Sequence, residues 1–337
     1  GRRVVVLTID PARRLAQSLG LTELDNTPAP VAGIDTAAGG SLDAMMLDMK
    51  RTFDEVVIAH ATPAKAAQIL ANPFYQAVSS SFAGTQEYMA MEKLGQLQTE
   101  AIRTGRWDLI VVDTPPSRSA LDFLDAPKRL GSFLDGKLIR LLLAPARTGG
   151  RAYLKVIHAG TTMATTALSK VLGGQLLRDV QLFVDAMDST FGGFRERAEV
   201  TYALLKDRGT AFIVVAAPER DALREAAFFL DRLEGEGMPL AGLVVNRIQR
   251  SDAMELSAAR AAAAAETLSP QAGAAASLAA GLLAVHATVA EAATRQEALA
   301  ARFRAGRPAV PALEVPLLKE DVHDVAGLRL VGEAMTT

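Results

Sequence analysis

The sequence predicts an α/β protein, a mostly parallel sheet flanked by helices with an inserted α-helical subdomain. Three observations carry this. Short runs rich in Val and Ile are continuous rather than alternating, the pattern of strands covered on both faces. Long stretches of helical composition separate them. The chain of 337 residues is 50% hydrophobic but only 5% aromatic, so its core is built from Ala, Leu and Val, which suits helices packed on a sheet.

The strand-like runs are Val4 to Ile9, Leu109 to Val112, Ala211 to Ala217, Leu240 to Val245 and a weaker one at Ala312 to Val315. About a hundred residues separate the first from the second, and again the second from the third, far more than a crossover needs. Leu42 to His60 mixes Met45, Met46, Leu47, Met49 and Phe53 with charges, and Thr85 to Arg103 carries Met89, Met91, Leu94 and Leu97 at helical intervals. Leu130 to Leu143, Leu154 to Leu177 and Val180 to Leu205 continue in the same vein. The expected organisation is one domain over 1–337 with helical insertions at 40–105 and 125–205. The alanine-rich segment Ser257 to Phe303 predicts helices broken near Pro270.

Composition excludes several classes of function. Cysteine is absent, which removes disulfides, zinc-thiolate sites and thiol catalysis. The four His show no metal-ligand spacing. A formal charge of −2 offers no general footprint for nucleic acid. The basic residues Lys128, Arg129, Lys137, Arg140, Arg147 and Arg151 are diluted by acids and read as a solvated helical face. The strongest apolar stretch, Ser277 to Ala293, contains His286 and Glu291 and falls short of a span of about 20 clean apolar residues. The chain thus reads as cytoplasmic, either free or peripheral to the membrane. It opens at Gly1-Arg2-Arg3 directly into an apolar strand, as expected of a fragment, a trimmed chain or a misplaced start.

Two strand-end carboxylates stand out. Leu109-Ile110-Val111-Val112-Asp113-Thr114-Pro115-Pro116 ends a buried strand in an acid, at the sheet edge where ligands of open α/β folds bind. Asp113 fits either a turn residue or a Mg²⁺ carboxylate. Val4-Val5-Val6-Leu7-Thr8-Ile9-Asp10-Pro11-Ala12 repeats the geometry. Asp10 fits a helix N-cap before Pro11 as well as a carboxylate orienting a water.

Together the two segments resemble the ArsA-type ATPases, the group containing the arsenite-pump ATPase and the eukaryotic ATPase that targets tail-anchored membrane proteins. Asp10-Pro11-Ala12 looks like that family's switch I and Asp113-Thr114-Pro115-Pro116 like its switch II. The likeness continues through Gly193-Phe194-Arg195-Glu196, Ala217-Pro218-Glu219, Val244-Val245-Asn246 and Val315-Pro316-Leu317-Leu318, in the family's order. It implies a bacterial member with a P-loop NTPase-like fold, using Mg²⁺ and ATP. By resemblance Asp10 orients the hydrolytic water and Asp113 serves the Mg²⁺ shell through water. Asn246 hydrogen-bonds the adenine edge, while Pro316 and Leu317 pack on the ring. Glu219 reaches the nucleotide of the opposite subunit. Bland alternatives stand beside these: turn residues for Asn246 and Pro316, and a solvated helix-start acid for Glu219.

The departures matter too. No Gly-x-x-x-x-Gly-Lys-Ser/Thr run occurs in the 337 residues. The resemblance places that loop before the first strand, so the polypeptide as given is expected to bind ATP poorly and to act in a longer form. Arg13 stands where a His is common, and the lack of Cys excludes thiolate arsenite ligation and a zinc-bridged dimer. The expected partners are a second copy or a related ATPase, together with a hydrophobic client or membrane protein held at a helical groove. Met45, Met46, Met49, Met89 and Met91 either line that groove or belong to the core. The alternative function is a non-hydrolysing regulatory or binding subunit paired with a loop-bearing homologue.

Overall fold

A computed structural model describes residues 1–9, 14–21, 24–73, 75–76, 79, 86–114, 196–251, 253, 255–271 and 273–336. Their contacts divide into two compact units, residues 1–16 with 21–204 and residues 17–20 with 205–337.

The N-terminal part of the chain forms β1 (Arg3–Thr8), α1 (Arg14–Ser18), β2 (Ala29–Pro30), β3 (Ser41–Met46), α2 (Met49–His60), α3 (Pro63–Leu70), α4 (Gln86–Thr104), β4 (Leu109–Asp113) and a helix over 196–205, α5. The sheet order is β2-β3-β1-β4. β1 lies parallel to both β3 and β4, and only β2 is antiparallel. Flanked on both sides, β1 buries Val5 and Leu7 completely.

β3 corrects the helical reading of Leu42 to Met46. Met, Ala and Leu favour helix, but pairing along the whole length of β1 overrides so weak a preference. The helix starts only at Met49, after Asp48 caps it by accepting from the N–H of Arg51 at 2.9 Å. Three of the five methionines belong to the core. Met45, Met89 and Met91 are fully buried, and Met46 and Met49 are half-buried. The run Met89 to Leu94 on α4 is buried all round, as a helix enclosed by its neighbours must be.

Enclosure traps charge, and each trapped charge is paired. Lys93 meets Glu55 at 2.8 Å, and Glu92 meets Arg197 of α5 at 3.0 Å. Buried Asn26 accepts from the Asp48 N–H and the Thr52 hydroxyl and donates to Glu55, which ties the 24–27 segment to the start of α2. Asp43, in the middle of β3, accepts from the Trp107 indole and the Arg106 guanidinium, each at 2.8 Å.

The second unit contains β5 (Phe212–Ala216), α6 (Arg220–Glu236), β6 (Leu240–Ile248), α7 (Ala258–Leu268), α8 (Ala274–Ala305), β7 (Ala312–Pro316) and α9 (Val325–Ala334). Its sheet is β5-β6-β7, parallel throughout, with Leu243 and Val245 of β6 buried. Gly242 is required here, because a Cβ would lie 2.7 Å from the Pro311 carbonyl oxygen. The expected break near Pro270 separates α7 from α8.

Two details depart from expectation. β4 and β5, the outermost strands of their sheets, expose Val111 and both Ile213 and Val215, where continuous apolar runs predict burial on both faces. An outermost strand has fewer neighbours to cover it. α8 is also longer and more apolar than expected. Its most apolar 18-residue window has a mean hydropathy of 1.4, enough by length and composition to cross a membrane. Its N-terminal half exposes Leu278, Leu282 and Val285, and its C-terminal half buries Ala290, Ala293 and Ala300. The proposed insertion at 125–205 lies outside the described residues up to 195, as does the basic cluster from Lys128 to Arg151.

Candidate functional site

In the first unit the candidate site is the carboxyl edge shared by β1 and β4. Register places Thr8 opposite Asp113. The Thr8 hydroxyl donates to Asp113 Oδ2 at 3.0 Å, and the Ile9 N–H donates to the Asp113 carbonyl at 2.9 Å. Gln86, the first residue of α4, donates through Nε2 to the Ile9 carbonyl at 2.7 Å. Thr8 and Ile9 are buried while Asp113 is exposed. The backbone entering Asp10 is therefore clamped from β4 and from α4. Asp10 itself, with Pro11, Ala12 and Arg13, lies outside the described residues. Sequence reasoning missed Thr8 and Gln86. Thr8 left a faint signal as the polar residue inside an apolar strand; Gln86 left none.

Asp113 suits a hard cation. Mg²⁺ is typically held by one or two carboxylates together with waters and substrate phosphates, and an exposed strand-end carboxylate oriented by a hydroxyl supplies one of these. Among the described residues no group of three or more His, Asp or Glu is placed to hold a metal.

In the second unit the carboxyl edge brings together Asn246, Pro316 and Leu317. Asn246 pairs with Val315, then the register shifts so that Ile248 meets Pro316. The Leu317 N–H donates to the Ile248 carbonyl at 2.8 Å and closes the end of the ladder. The residue in the bulge is Arg247, held at φ 66°, which non-glycine residues rarely adopt. Asn246 is half-buried, Pro316 half-buried and Leu317 exposed. Glu219 sits on the same edge as the exposed N-cap residue of α6, and its side chain makes no capping hydrogen bond.

Neither edge coincides with the cavity of about 830 Å³ found among the described residues of the first unit. That space lies between α2, α4 and α5 and is lined by His60, Glu92, Thr99 and Arg197 among others. Burial, and then the nearby Arg197 charge, push the His60 pKa down and favour its neutral form.

The family model for anion-transporting ATPases matches residues 1–268. The chain belongs to the anion-transporting ATPase family. This ATPase-family chain has the mixed α/β fold, parallel-rich and flanked by helices, that the family's P-loop NTPase-like architecture requires. The matched stretch contains Asp10, Asp113, Glu219 and Asn246, whereas Pro316 and Leu317 lie past it and rest on the pairing of β6 with β7. No curated protein matches the chain.

Proposed function

We propose that the protein hydrolyses Mg-ATP and couples hydrolysis to binding and release of a hydrophobic client, as a homodimer or beside a related ATPase. The observation that carries the hydrolytic reading is the hydrogen-bonded pair of strand ends, Thr8 with Asp113, directly preceding the Asp10-Pro11-Ala12 segment. Members of this family generally use Mg-ATP, which fits a carboxylate at that edge.

In this reading Asp113 holds the metal shell, with its carboxylate fixed by Thr8. The metal, when bound, neutralises charge developing on the transferred phosphoryl group. Asp10 orients the attacking water and takes its proton, and the clamp on Ile9 from β4 and Gln86 sets where the Asp10 backbone begins. Asn246 recognises the adenine edge, since its amide both donates and accepts. Pro316 and Leu317 form an apolar wall beside it, and Glu219 reaches a nucleotide across a subunit interface.

Steady-state ATP turnover by the full-length protein tests this reading. Asp10→Asn is expected to lower kcat by at least roughly a hundredfold while ATP still binds, as for loss of a positioned general base. An unchanged rate would remove Asp10 from the chemistry. Nucleotide binding with no turnover by the wild-type protein would instead favour the non-hydrolysing subunit.

A further inference from the structure

Resting on the reading of Asn246 as the base-recognising amide, we infer that Gln296 of α8 is a positioning residue for the nucleobase edge. Three residues past Asn246, the backbone N–H of Gln249 donates to Gln296 Oε1 at 2.7 Å. At the other end of the same peptide bond the Ile248 carbonyl is taken by the Leu317 N–H at 2.8 Å. The peptide unit that follows the left-handed Arg247 by one residue is thus bracketed by two hydrogen bonds, one from β7 and one from α8. An arginine persists in that conformation only where its surroundings over-determine it, and such residues gather at ligand-binding edges.

The bracket has a rigid backing. The chain after Gln249 returns to α8 at a second point, where the His286 Nε2–H donates to the Leu256 carbonyl at 2.7 Å and Nδ1 faces the Ser251 hydroxyl at 3.4 Å. His286 and Gln296 are ten residues apart on one helix, about 15 Å along its axis. α8 therefore fixes both ends of the loop that leaves Asn246. Gln296 contributes an acceptor only, so the function belongs to one oxygen atom. Asn246 touches the base in this reading; Gln296 acts through it.

The acceptor role defines the experiment. Dissociation constants of the full-length protein for Mg-ATP and Mg-GTP are measured in Gln296→Leu, which keeps side-chain bulk without an acceptor, and in Gln296→Glu, which keeps the acceptor. Gln296→Leu is expected to reduce the preference for ATP over GTP by roughly three- to tenfold, the worth of one hydrogen bond. The kcat for bound ATP stays unchanged, and Gln296→Glu stays within about twofold of wild type. Asn246→Ala reduces the same preference, and adding Gln296→Leu to it changes nothing further. Amide hydrogen exchange at Gln249 supplies a readout independent of nucleotide: protected in the wild type, faster in Gln296→Leu. A folded Gln296→Leu protein with full ATP preference, or an unprotected Gln249 amide in the wild type, overturns the inference while leaving Asn246 in place. An Asn246→Ala protein with unchanged preference, or a wild type binding neither nucleotide, overturns the nucleobase reading and this inference with it.

Discussion

Thr8 donates its hydroxyl proton to Asp113 Oδ2 at 3.0 Å, joining the carboxyl ends of two parallel strands. The bond leaves Asp113 one fixed orientation at the edge, and the two residues should respond differently to substitution.

Thr8→Val keeps the β-branched shape and removes the donor. It is expected to cost about 1 kcal/mol of stability and to raise the Mg²⁺ concentration needed for half-maximal ATP turnover. Asp113→Asn should raise that requirement much further at little cost in stability, because Asp113 is exposed. Urea unfolding and Mg²⁺ titrations of activity measure the two effects. Equal Mg²⁺ requirements in wild type and Asp113→Asn would remove Asp113 from the metal site.

Lys93 is 7% exposed and meets Glu55 at 2.8 Å. Glu55→Ala would strand that ammonium and also take the acceptor from Asn26. A loss of about 3–5 kcal/mol is expected, typical of breaking a buried pair from one side. Adding Lys93→Met to Glu55→Ala should recover much of it, since an apolar side chain needs no partner. Denaturant midpoints of the single and double variants decide the matter. No recovery would show that the stabilisation lies with Asn26.

Asp108 binds Arg3 where β4 and β1 begin, and hydrogen bonds from the Arg3 guanidinium, then from its backbone N–H, hold the Asp108 pKa down to about 2. An unfolded aspartate titrates near 3.8. A depressed carboxylate pKa gives stability that is complete above the unfolded value and is lost as pH falls through the folded one. Wild-type stability should therefore fall between pH 3.8 and about 2 more steeply than that of Asp108→Asn. Urea midpoints across that window test it, and parallel curves would mean the pair contributes nothing.

Gly242→Ala should destabilise by about 1–3 kcal/mol, because the added carbon meets the Pro311 carbonyl oxygen at 2.7 Å and backbone must move. Thermal unfolding would report this. A neutral result would mean that the turn before β7 yields easily.

Five of the seven described strands were legible because Val and Ile runs advertise a buried parallel sheet. β3 was not, since Leu42, Ala44, Met45 and Met46 are helix formers whose strand geometry is dictated by β1. The pairs of acids and apolar positions at strand ends could be read because each follows a recognisable run. Arg247 in the bulge and Gln296 on α8 could not. Their roles depend on the register of β6 against β7 and on a helix residue fifty positions downstream of Asn246. A glutamine in a helix has no local signature, and its partner is a backbone group that every residue possesses.

The burial of Met45, Met89 and Met91 also has a chemical use. A thioether sealed from solvent resists peroxide, whereas Met335, 39% exposed near the C-terminus, does not. Mild oxidation followed by peptide mass analysis would thus register openings of the first unit as sulfoxide at three defined positions. The C-terminal methionine provides the internal clock against which those openings are timed.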